Sequence, residues 1–130
     1  IDGLLPQAID EALRWIAPIG TMMRTATRDT EVAGIAVPEG TAVSCIFASA
    51  NRDESRWDDP DRFDILRAQK PHMAFGQGTH FCAGKWFAKA QIDIAMRVLL
   101  DAFPHLAFAD DVPAFRGWEF RAPVHCCIAL

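Results

Sequence analysis

Phe75-Gly76-Gln77-Gly78-Thr79-His80-Phe81-Cys82-Ala83-Gly84 is the stretch that decides the fold of this chain. Two glycines lead into a cysteine, a third follows it, and a helical pattern then runs from about Cys82 to Ala102. A cysteine at a helix N-terminus has its thiolate favoured by the helix dipole and the free N–H groups of the first turn. Gly76 and Gly78 let backbone N–H groups approach the sulfur with no side chain in the way. Gly84 leaves room for a flat group to lie over the first helical turn, and Phe75 offers an apolar wall that keeps water off the sulfur. Each residue type has a task if Cys82 is a metal-bound thiolate. Taken alone, however, Gly-x-Gly plus Cys fits better a glycine turn before a helix that opens on an ordinary buried thiol.

Working outward, residues 1 to about 16 read as a helix, with Pro6 in its first turn and Ile9, Leu13 and Ile16 on one face. Pro18 and Gly20 end it. Thr21 to Val37 turns extended, Pro38-Glu39-Gly40 is a turn, and Thr41 to Phe47 is a second β-rich run, which together predict a small antiparallel sheet. A short helix or turn at 48–51 leads into a polar meander over 53–67 anchored by Trp57, Phe63, Ile65 and Leu66. In the long helix, Phe87, Ile94, Val98 and Leu99 form the expected inner stripe, with Lys85, Lys89, Asp93 and Arg97 away from it. The tail from His105 reads as short strands punctuated by Pro113, Gly117 and Pro123.

The ten-residue run matches without a gap the haem-thiolate signature Phe-x-x-Gly-x-x-x-Cys-x-Gly, and in this the chain resembles the cytochrome P450 family. Glu11-Ala12-Leu13-Arg14 resembles that family's Glu-x-x-Arg helix, and Pro60-Asp61-Arg62-Phe63 its Pro-x-Arg-Phe meander. Ala50-Asn51-Arg52-Asp53 and the run Asp59 to Asp64 are similar to the soluble bacterial type. Lys85-Trp86 departs from the family, which often has smaller residues or proline just after the last glycine.

The resemblance implies a mixed α/β fragment of a mainly helical fold: a Glu-x-x-Arg helix, a small antiparallel sheet, a meander, a cysteine-ligand loop and a long following helix. It makes residues 1–130 a single C-terminal haem-binding portion of a longer domain. The cofactor implied is haem b, iron protoporphyrin IX, with Cys82 as iron ligand and Phe75, Gly76, Gly78, His80, Gly84 and Arg24 as further haem contacts. Arg24 and His80 align with propionate-binding positions, where charge-assisted donors suit carboxylates. Read alone, they are a surface arginine and a loop histidine. Glu11, Arg14 and Arg62 are implied to form a structural network behind the haem. Ile19, Met22 and Phe115 align with regions that reach a substrate pocket. His72, His105 and His125 are given no site role.

The activity implied is insertion of one oxygen atom from O2 into a small hydrophobic substrate, in the cytoplasm. Electrons would come from a ferredoxin or reductase-type donor, for which Lys85, Lys89 and Arg97 are a candidate docking patch. The missing N-terminal part of the fold would be a further partner. The alternative is a truncated, non-enzymatic module that binds haem or transfers electrons, or a remnant that binds none.

Bulk properties are compatible with this. The 130 residues are 51% hydrophobic and 23% charged, which suits one domain with a core and excludes disorder. A formal charge of −4 gives no footprint for nucleic acid. No apolar run approaches a membrane span, so no membrane partner is expected. Four cysteines with no zinc-type spacing suggest three buried apolar thiols, Cys45, Cys126 and Cys127, beside Cys82.

Overall fold

A computed structural model of the chain describes residues 3–111 and 113–129. Helix α1 spans Leu5–Ile16, with proline in its first turn and Ala17 at its C-cap in a left-handed conformation, φ 45°. Leu5, Ile9 and Leu13 recur every four residues and are buried, while Glu11 and Arg14 are buried from the adjoining side. Strand β1 (Met22–Thr25) then pairs antiparallel with β4 (Ala42–Cys45), Met22 opposite Cys45 and Arg24 opposite Val43. Between them β2 (Thr30–Val32) and β3 (Ile35–Val37) close a hairpin over Ala33 and Gly34. Both turn residues have positive φ, 51° and 80°, as a two-residue hairpin turn that matches strand twist requires.

The expected single sheet is thus a ribbon of two-stranded pieces. The run expected to be extended through Phe47 breaks earlier, because Phe47–Ala50 forms the short helix α2. Residues 52–71 are an irregular stretch that includes the meander expected over 53–67, pinned by Trp57 and the fully buried Asn51, whereas the expected anchors Phe63 and Leu66 are exposed. Near the C-terminus β5 (Ala107–Phe108) pairs with β8 (Ile128–Ala129), and β6 (Phe115–Arg116) with β7 (Ala122–Pro123). The loop after β6 docks on the end of α1. Gly20 N–H donates to Glu119 at 2.8 Å, Arg121 Nη1 donates to the Ile16 carbonyl at 2.8 Å, and Ile19 bridges Phe120. A Cβ on Gly20 would lie 2.7 Å from the Trp118 carbonyl oxygen, so only glycine lets that loop approach.

Three expectations are corrected. Helix α3 spans Lys85–Ala102, not from Cys82, so the cysteine lies in the loop before the cap residue Gly84. The face of α3 turned to α1 is Ile92, Met96 and Leu100, packed on the cluster of Leu5, Ile9, Leu13 and Ala74. Of the expected inner stripe, Phe87, Ile94 and Val98 are 71%, 62% and 64% exposed and Leu99 is half-buried. Cys126 and Cys127 are exposed and Cys45 half-buried, so none of the three is a fully buried thiol.

Candidate functional site

The site is built on two short 3₁₀ turns, Met73–Phe75 and Gly78–His80, that carry the chain from the core to Cys82. Gly76 and Gly78 join them with φ of 68° and 71°, a region where L side chains are strained. At Gly76 there is a second constraint, because a Cβ would stand 3.3 Å from the His80 carbonyl oxygen. The loop closes on itself through Cys82 N–H donating to the Phe75 carbonyl at 2.9 Å. The Cys82 carbonyl in turn accepts Lys85 N–H at 3.3 Å, which couples the loop to the first turn of α3. That helix has no side-chain cap, so its first-turn N–H groups keep their positive end turned toward the loop.

The Cys82 side chain is exposed and borders a cleft of about 630 Å³, a size typical of cofactor and ligand sites. Arg24 and Met22, on the same face of β1, line it with His80, Phe75, Gly76 and Ile19. One cleft therefore gathers a thiol, two candidate donors and an apolar wall from residues up to 69 positions apart in sequence. Gly78, Gly84 and Phe115 do not line it; Phe115 is half-buried in β6 opposite Pro123. The sequence reading missed Leu13, Cys45, Ile46 and Phe47 on its wall. The strand register that places Cys45 opposite Met22 is what brings Cys45 to this wall.

These residues fit a haem. An added Cβ at Gly84 would meet nothing closer than the Cys82 Sγ at 3.9 Å, so the packing of this chain leaves the space beside the sulfur open. A flat macrocycle needs that space, and the cleft offers Arg24 and His80 as donors for its carboxylates. Among the described residues no three His, Cys, Asp or Glu side chains converge as a metal cage, so the metal reading rests on a single thiolate.

Behind the cleft, Glu11 and Arg14 form a buried bidentate pair at 2.7 and 2.8 Å. Arg14 spends every remaining N–H on backbone carbonyls: Asn51 and Pro60, both at 2.9 Å, and Arg62 at 3.2 Å. Burial pushes the Glu11 carboxyl up, but hydrogen bonds from Arg14, the Asp64 N–H and Arg67 outweigh it and hold it below its ordinary value. The second arginine on Glu11 is Arg67, with Nε 3.2 Å from Oε1, not Arg62. The Arg62 side chain is 66% exposed and reaches only Asp64, at 4.0 Å. The reason is local. The backbone turn from Asp64 to Arg67 directs the later arginine inward, and Arg62 contributes its carbonyl alone.

Asn51 was also missed as a connector. Its Oδ1 accepts Met73 N–H at 2.6 Å, tying the start of the cysteine loop to the segment that caps Arg14. Of the expected docking cations, Lys89 is committed to Asp10 at 2.7 and 2.8 Å, and Arg97 to Asp93 at 2.8 and 3.1 Å. Lys85 lies over the rings of Phe75, Phe81 and Trp86 at 5.0 to 5.8 Å.

Comparison with known proteins bears on the family and the fold. The family model for Cytochrome P450 matches residues 3–119. The chain is 40% identical over 129 residues to 6-deoxyerythronolide B hydroxylase of Saccharopolyspora erythraea, covering 97% of this chain and 32% of that protein. It is 42% identical over 127 residues to nocardicin C N-oxygenase of Nocardia uniformis subsp. tsuyamanensis, covering 93% and 32%. The crystal structure of the cytochrome P450 enzyme CYP109B1 from Bacillus subtilis superposes with a TM-score of 0.90 at 40% identity, over 99% of this chain and 35% of that one. The chain spans about a third of the length of these relatives.

Proposed function

This chain belongs to the cytochrome P450 family, and on that premise we propose that it is the haem-binding portion of a monooxygenase with Cys82 as the iron ligand. The observation that carries the proposal is the exposed Cys82 thiol on a cleft that also gathers Arg24 and His80. When bound, haem supplies the activation of O2 by which one oxygen atom enters an organic substrate.

The chain's own residues supply the setting. Cys82 donates its sulfur as thiolate, held in place by its N–H on the Phe75 carbonyl. Gly76 and Gly78 set the loop, and Gly84 leaves the space beside the sulfur open. Arg24 and His80 donate to the haem propionates. Phe75 lines the cleft beside the sulfur, and Glu11, Arg14 and Arg67 clamp the loop's support from behind. Ile19 and Met22 give the substrate side an apolar wall, which suits a small hydrophobic molecule. Phe115 does not line the cleft of this chain. The remainder of a full-length fold covers the opposite haem face. An acidic electron donor of ferredoxin type would meet Lys85 rather than Lys89 or Arg97, whose charges are already paired. A cytoplasmic location goes with this reading; among the described residues no helix is long and apolar enough to cross a membrane.

The carbon monoxide difference spectrum of the reduced, haem-loaded full-length protein tests the ligand. A thiolate-type Soret band that disappears in Cys82→Ser is the expected result. An unchanged band in that variant would remove Cys82 from the iron.

A further inference from the structure

We propose that His72 is a positioning residue for the Cys82 thiolate, one that links the ligand loop to α1, its Nδ1 capping the loop's first turn and its Nε2 facing Asp10. The inference rests on the haem-thiolate reading above. His72 stands immediately before the turn Met73–Phe75 and caps it, Nδ1 accepting the Ala74 N–H at 3.2 Å. The ring proton therefore sits on Nε2, an assignment made from the bonding pattern. Nε2 lies 3.6 Å from Asp10 Oδ1 on α1, and the same carboxylate is held by Lys89 of α3. The imidazole also packs against Phe75, with ring centroids 6.3 Å apart. Phe75 is the residue whose carbonyl holds the Cys82 N–H. A continuous path of contacts thus runs from two helices, through one imidazole, to the backbone of the ligand cysteine. A histidine that merely filled space would need neither nitrogen engaged.

Only the neutral ring can do this, because protonation turns Nδ1 into a donor and removes the Ala74 bond. The charged groups facing the ring are Asp10 from α1 and Lys85 and Lys89 from α3. Burial is the largest influence and lowers its pKa, Asp10 raises it, and the two lysines add to the lowering, leaving it below its ordinary 6.5. A depressed histidine stabilises the fold fully above its ordinary value, and that contribution is lost as pH falls through the folded value.

The test is the thiolate fraction in the carbon monoxide difference spectrum of the haem-loaded full-length protein, across about pH 5 to 8. Haem content is measured in parallel. His72→Asn keeps an acceptor near the place of Nδ1 but does not titrate. His72→Ala loses both contacts, and His72→Gln loses the cap while keeping reach to Asp10. Expected are a one-proton loss of the thiolate band below pH 6.5 in the parent, and its absence in His72→Asn, which matches the parent at neutral pH. His72→Ala and His72→Gln should raise the non-thiolate fraction about fivefold at unchanged haem content. The same acid step in His72→Asn would overturn the proposal, as would Ala and Gln variants indistinguishable from the parent. If His72→Ala does not fold, the comparison of parent with His72→Asn still decides. A parent band that survives Cys82→Ser would instead overturn the haem-thiolate reading, and this inference with it.

Discussion

Glu11 shows how far a motif can be trusted at the scale of single residues. Its pairing with Arg14 is legible in the sequence, since positions three apart on a helix share a face. Its second arginine is not. Arg62 and Arg67 stand five residues apart in the meander, and only the turn from Asp64 determines which one points inward. The two make opposite predictions. Arg67→Ala removes a donor from a buried carboxylate and should lower unfolding free energy by about 1.5–3 kcal/mol. Arg62→Ala removes an exposed side chain and should stay within about 0.5 kcal/mol of the parent. Urea midpoints measure both, and equal losses would contradict the arrangement described here. That Cys82 and His80 share one loop is legible because its glycines set the backbone path, whereas Arg24 reaches the same cleft from β1 and was indicated by the resemblance alone. Leu13, Ile46 and Phe47 were not, since nothing in a local pattern says that they share a cleft.

Helix α3 carries apolar residues at helical spacing twice over. Phe87, Ile94 and Val98 fall on one stripe, and Ile92, Met96 and Leu100 on another. Periodicity identifies the helix but cannot choose between its faces, and the core of α1 chooses the second. Ile92→Ala should therefore cost about 1–2 kcal/mol, as expected for a half-buried side chain. Ile94→Ala, on the 62% exposed side, should be near neutral in the 130-residue chain. Thermal unfolding of the two variants side by side is the check, and the reverse order would return the helix to the face first read from sequence. The strands show the complementary case. The hairpin at Ala33-Gly34 breaks the run read as extended from Thr21 to Val37, and the end of β4 at Cys45 is set by the tight turn of α2 that follows it.

Across the whole molecule, the buried Glu11 makes stability depend on acid. A carboxylate held below its ordinary pKa contributes fully above that value, 4.5, and loses its contribution as pH falls through the folded value. The parent's urea midpoint should thus drop below about pH 4.5. Glu11→Gln should start from a lower midpoint at neutral pH and show a shallower acid limb; an equally steep limb would place the acid sensitivity elsewhere. The pairing of Lys89 with Asp10 has a separate consequence, for the order in which the molecule comes together. The two residues are 79 positions apart, and closing a loop of that size costs about 4 kcal/mol in chain entropy before any contact offsets it. The β2–β3 ribbon, by contrast, closes over two residues. The ribbon can form as soon as its residues exist, while α1 waits for α3. The cysteine loop, suspended between those helices, should acquire its final shape only once they have closed on each other.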